Sequence, residues 1–166
     1  MRRHRIDILG VLCLALCAFC ACEGTSFQSS VPAYPVRITL DTRVGQFVHF
    51  QPTSTGSYVT VDRDGYFMDG KYVMPVNATD AWGYGGIVVY VSAMGYDAYD
   101  LACPHCAERG MCQPCAIQGA NAVCPACTEE YDLLSGFAVP QKGIAREALR
   151  RLNVMNSDGR ITVTQR

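Results

Sequence analysis

From Val36 onward the chain is a succession of short apolar runs separated by Gly, Asp and Pro. "VRITL", "QFVHF", "SYVTVD", "YFMDGKYVMPV", "GIVVYVSA" and "YDAYDL" are rich in Val, Ile, Tyr and Phe, the residue types that fit a pleated, half-buried surface. "DRDGYF" and "FMDGKY" each set Asp-Gly between apolar residues, and "NVMNSDGRITVTQ" does the same around Ser-Asp-Gly, which predicts hairpins. The pattern predicts a mostly antiparallel all-β domain. One segment stands apart. In "IAREALRRLNV", Ala145, Ala148, Leu149 and Leu152 follow the i, i+3, i+4, i+7 spacing of a helix.

The first residues belong to another class of pattern. Arg2, Arg3 and Arg5 precede an apolar run from Ile8 to Cys22 that is too short to span a bilayer, as in an export signal. Phe19, Cys20 and Ala21 before Cys22 resemble a bacterial lipoprotein cleavage site, which makes Cys22 the lipidated residue; cleavage of an ordinary secretory signal nearby is the alternative. The expected organisation is a signal over 1–21, a small and polar tether over 22–35, and one domain over 36–166. Beyond residue 21 the chain has 11 basic and 14 acidic side chains, a balance that argues against a nucleic-acid surface.

Cysteine usage changes the picture most. Of ten cysteines, Cys13, Cys17, Cys20 and Cys22 lie at the start, and the other six fall within "CPHCAERGMCQPCAIQGANAVCPAC". A disulfide framework staples distant segments, whereas this clustering points to a local task such as holding a metal. Cys103-Pro104-His105-Cys106 spells a thiol-oxidase active site. The Gly110 and Pro114 that follow spoil the helix whose N-terminus would activate such a thiolate. Cys103-x2-Cys106 and Cys124-x2-Cys127, 17 residues apart, have the spacing of a two-knuckle zinc site. On spacing alone the metal stays open.

Flanking sequence adds a resemblance. Cys103-Pro104-His105, and Cys124 with Cys127 and the following Tyr131-Asp132, resemble the two converging loops of the Rieske-type [2Fe-2S] domain, in particular those of small exported lipoproteins of Bacteroidetes-type bacteria. "YGGIVVYVSAMGYDAYDLACPH" resembles the strands leading into the first loop, and Gly143, Ala145, Leu149, Leu152 and Val154 match the family's later segment, which runs extended. The resemblance covers roughly residues 36 to 166, most strongly from Tyr84 onward. It implies an antiparallel β-sandwich with a small cluster-binding subdomain formed by two loops, and an extended chain over 144–154 in place of a helix. It also implies a [2Fe-2S] cluster held by Cys103, His105, Cys124 and Cys127. Cys127 stands where the family has histidine and the Gly-Ser after it is lost, so the added thiolate would lower the potential relative to two-histidine relatives.

The resemblance implies an electron-transfer component of the cell envelope, lipid-anchored on the periplasmic or outer face, with a redox or envelope protein as partner. The alternative is a binding or structural module of the same fold in which Cys103, Cys106, Cys124 and Cys127 hold Zn²⁺, or in which disulfides form. A bridge from Cys106 to Cys112 or Cys115 is one such pairing, by analogy with relatives that link their two loops. Nothing in the chain resembles a catalytic constellation of its own: after the leader only His49 and His105 are present, and there is no serine elbow. His49 reads as a strand residue. Glu129, Glu130 and Asp132 read as solvated loop acids, and Trp82, Tyr84 and Tyr90 as core. "DRDG" reads as a turn and not a calcium loop, since it lacks the ligand series and closing Glu.

Overall fold

The computed structural model describes residues 29–166; the expected signal, Cys22 and the first half of the tether lie outside them. Among the described residues, thirteen strands form three antiparallel sheets. One has the order β12-β13-β1-β5, with β1 Val36–Asp41, β5 Ala81–Trp82, β12 Asn153–Ser157 and β13 Arg160–Thr164. The second has the order β4-β3-β2-β6-β7, with β2 Tyr58–Asp62, β3 Gly65–Met68, β4 Lys71–Met74, β6 Ile87–Ser92 and β7 Gly95–Asp100. The third has the order β11-β10-β9-β8, with β8 Ala116–Gln118, β9 Asn121–Val123, β10 Glu130–Asp132 and β11 Val139–Lys142. The expected all-β, antiparallel class is the one observed.

Hairpin chemistry sets the registers. Asp69 and Gly70 both have positive φ between Met68 and Lys71, and Asp158 and Gly159 repeat this between Ser157 and Arg160. These are the two-residue turns whose twist suits paired strands. "DRDGYF" differs in detail: Arg63-Asp64 forms the turn, and Gly65 opens β3 opposite Asp62.

Strand β6 explains the layering. All six of its residues are buried, because the sheet is covered on both faces. Ile87, Val89 and Val91 enter a core with Ile38, Leu40, Val59, Val61, Ile161 and Val163, joining the first two sheets as a sandwich. Val88 and Tyr90 point the other way, into a second core with Tyr99, Leu101, Tyr131, Leu133, Leu149 and four cysteines. The period-two alternation of a strand thus builds two cores from one apolar run.

The cysteine-bearing third sheet is an excursion between β7 and β12. Its two ends are stitched together: Asp100 N–H donates to Arg150 O and Leu152 N–H to Ala98 O, each at 2.9 Å, and Tyr99 bridges Arg151. The segment 144–154 is therefore extended, not helical. Leu149 fills the second core and Leu152 the first, so the helix-like spacing records a chain crossing from one core to the other.

Two expectations change. "QFVHF" is not a strand: Gly45–Phe47 is a single 3-10 turn, Phe50 N–H donates to Phe47 O at 2.9 Å, and His49 is exposed. Phe47 and Phe50, three residues apart, both reach the core, which strand alternation does not allow. The far end of the expected tether is docked. Val31 is buried, its carbonyl accepts from Arg150, and Glu147 accepts from Ser29 Oγ and Ser30 N–H.

Candidate metal centre

Two C-P-x-C turns face each other at one end of the second core. In the first, Cys103 leaves β7 and caps α1, the single helical turn Pro104–Ala107, with Ala107 N–H donating to Cys103 O at 2.9 Å. In the second, Thr128 N–H donates to Cys124 O, also at 2.9 Å, and Thr128 takes a positive φ to turn the chain into β10. Proline at the second position suits both, since its fixed φ fits a first turn and its missing N–H is not needed there.

Residues three apart on such a turn share a face. Cys103 and Cys106 therefore point together, as do Cys124 and Cys127, and the four Sγ atoms all lie within 4.8 Å of one another. Cys103 Sγ is 3.6 Å from Cys127 Sγ, and Cys106 Sγ is 3.7 Å from both Cys124 Sγ and Cys127 Sγ. Cys103, Cys106 and Cys124 are buried, and Cys127 is half-buried.

His105, two residues after Cys103, points away. Its side chain lines a small cavity with Glu108, Ile144, Arg146 and Glu147 and does not belong to the sulfur group. The structure thus gathers three of the residues first expected as cluster ligands, Cys103, Cys124 and Cys127, and completes the set with Cys106. This is the four-thiol set of the zinc alternative. Cys112 and Cys115 stay outside it. Cys112 is exposed and its thiol donates to Tyr84 O at 3.2 Å. Cys115 is buried, and both residues line an open cavity of about 650 Å³ shared with Trp82 and Tyr84. Among the described residues all six cysteines are free thiols, and Cys106 faces Cys124 and Cys127 and not the loop of Cys112 and Cys115.

The thiols perturb one another. Burial pushes the Cys106 thiol up to about 11, with Cys124 adding to the rise. Cys127 is also raised, by burial first. At Cys124 the burial penalty is outweighed by backbone donors at Cys127 and Ala126, and its thiol is lowered. Without a counter-charge the group cannot hold several thiolates; a metal ion is the counter-charge that such a set fits. The donor chemistry suits a soft or borderline tetrahedral metal.

Supporting contacts were not legible in the sequence. Tyr131 Oη lies 3.4 Å from Cys103 Sγ in the buried core. Asp100, 1 % exposed, accepts from the N–H groups of Tyr84, Gly85 and Ala102, which pins the glycine loop against the chain entering Cys103. At Gly85 a Cβ would fall on the backbone of Ala102, so only glycine permits this approach. Glu129 is also 1 % exposed and accepts from Ile144 N–H at 2.7 Å and Ala145 N–H at 3.0 Å. It is a buried clamp and not the solvated acid expected. Gly143 leaves room for its carboxylate. Glu130 pairs with Lys142, and Asp132 caps Leu134 N–H, as loop acids do. Tyr90 is core, whereas Trp82 and Tyr84 are half-buried on the cavity.

Glu129→Ala is expected to cost about 2 kcal/mol, because two part-buried N–H groups lose their charged acceptor. Denaturant unfolding checks the magnitude, and faster hydrogen exchange at Ile144 and Ala145 checks the location.

No family model and no curated protein sequence matches the chain. Among solved structures it is similar to the ferredoxin of carbazole 1,9a-dioxygenase from Nocardioides aromaticivorans IC177, with a TM-score of 0.43 and 14% identity over 80% of this chain and 98% of that one. It is also similar to the Sphingomonas yanoikuyae B1 ferredoxin, with a TM-score of 0.39 and 13% identity over 70% of this chain and 94% of that one.

Proposed function

We propose that the protein is an exported, lipid-anchored metalloprotein of Rieske-like build whose four-thiolate centre, loaded with iron, carries electrons in the cell envelope. The observation that carries this reading is the convergence of Cys103, Cys106, Cys124 and Cys127 on one point. The centre lies just under the surface: three sulfurs are buried and Cys127 reaches the edge, the arrangement an electron needs to leave toward a docked partner. Iron bound there supplies one-electron chemistry. The protein's residues supply the sulfur set, the low-dielectric surroundings and the Tyr131 hydroxyl beside Cys103. Envelope localisation and Cys22 lipidation rest on the leader sequence, and the partner is an envelope redox protein.

A second reading, a structural zinc clasp, is favoured by the closed set of four protein donors, which leaves no open position for a substrate or water. The two readings separate on the protein purified without air from the envelope fraction. Iron with a reversible visible and EPR change on reduction is the expected result. Stoichiometric zinc with no redox response would replace electron transfer by the clasp, and disulfides without metal would end both.

A further inference from the structure

The Rieske-like resemblance implies two irons, with His105 among the ligands; the geometry disagrees on both counts. We infer that Cys103, Cys106, Cys124 and Cys127 form a site for a single tetrahedral metal ion. This rests on the reading that the four thiols bind metal, and it specifies how many ions they hold and which residues hold them.

A zinc–sulfur bond of about 2.3 Å makes the edge of a regular tetrahedron of sulfurs about 3.8 Å. Three edges here measure 3.6, 3.7 and 3.7 Å. Each joins a sulfur of one loop to a sulfur of the other, so the loops are already in contact across the site. A [2Fe-2S] cluster instead divides its protein ligands between two irons and interposes bridging sulfides. Ligand pairs on different irons then stand apart by more than one tetrahedral edge. Sulfurs that touch across the loops, with the whole group inside 4.8 Å, enclose room for one ion and none for a bridged pair.

The choice of Cys106 over His105 has a local cause. Because Pro104–Ala107 is a helical turn, the third residue after Cys103 returns to its face and the second does not. His105 occupies the separate cavity bordered by Glu108 and Arg146. The second loop repeats the geometry with Cys124 and Cys127.

The test uses the full chain, exported and purified, then stripped by chelator under reducing conditions and titrated with Co²⁺. Thiolate-to-cobalt charge transfer and intense tetrahedral d–d bands should saturate at one equivalent per chain and be displaced by Zn²⁺. The native protein should carry one zinc or one iron and no acid-labile sulfide. His105→Ala should keep stoichiometry and affinity within about twofold, whereas Cys106→Ser should weaken binding at least about tenfold. Two irons with two sulfides per chain, lost on His105→Ala, would overturn the single-ion site while leaving a thiolate metal centre standing. Failure of the wild-type chain to bind any metal would overturn both. The wild-type stoichiometry decides even where a cysteine variant does not fold.

Discussion

Stripping the metal from the intact protein is expected to open residues 103–149 to proteases while the sandwich built on β1, β2, β6 and β13 stays folded. The expectation follows from the division into two cores. The sandwich core holds no cysteine, whereas Cys103, Cys106, Cys115 and Cys124 are structural members of the second. The excursion's own share of that core comes from strands of three or four residues, too short to be stable without a staple. Structural zinc in small domains supplies about 10–16 kcal/mol of apparent binding free energy at pH 7, and this centre would act on a unit of similar size. Without it, four mutually perturbing thiols remain in an apolar pocket. Limited proteolysis with mass spectrometry should find new cuts confined to the excursion, with the far-ultraviolet strand signal partly retained. Loss of the whole fold in one transition, or no new cuts at all, would contradict the division.

Asp100→Ala is expected to be more damaging than loss of any of the exposed loop acids. Its carboxylate accepts from three backbone N–H groups on both sides of the entry to the first knuckle, at 2.7, 2.9 and 2.9 Å. Losing it leaves buried donors unpaired at about 1–3 kcal/mol each, so a loss of about 3 kcal/mol or more is expected, a fall of roughly 10 °C in melting temperature. Asp132→Ala, which removes one half-exposed cap, should cost far less. Burial raises the Asp100 pKa above the ordinary 3.8, against the downward pull of the three N–H groups and Arg150. Since the folded value is the higher one, ionising Asp100 costs more in the folded chain than in the unfolded one. This part of the stability is fully present below pH 3.8 and is lost as pH rises through the folded value, on top of the pH-independent share of the three N–H bonds. Asp100→Asn should flatten that part of the stability–pH curve, as thermal melts across pH 3–7 would show.

Legibility followed the range of the signal. The longer strands of the sandwich were readable from their apolar runs, and two of the hairpins because Asp69-Gly70 and Asp158-Gly159 fix their turns within two residues, whereas the three- and four-residue strands of the third sheet carried no such signal. "QFVHF" and "IAREALRRLNV" misled for one reason: spacing tells which residues are buried, not which core receives them. Phe47 and Phe50 reach one core from a turn, and Leu149 and Leu152 reach two cores from an extended chain. At the centre, four cysteines were named by spacing, but whether residue 105 or 106 completes the set depends on the helical twist of one turn. Asp100 and Glu129 were invisible as supports because their partners are backbone N–H groups, which every residue but proline carries.

The stitched neck at Ala98–Asp100 and Arg150–Leu152 has an evolutionary meaning. Because the excursion departs and returns at one place, it can be gained, exchanged or shortened without rethreading the sandwich. The outward face of Val88, Tyr90 and Tyr99 is the one surface a replacement would have to cover. The cysteine-bearing unit is in that sense a cartridge, replaceable without altering the strand pairing of its carrier.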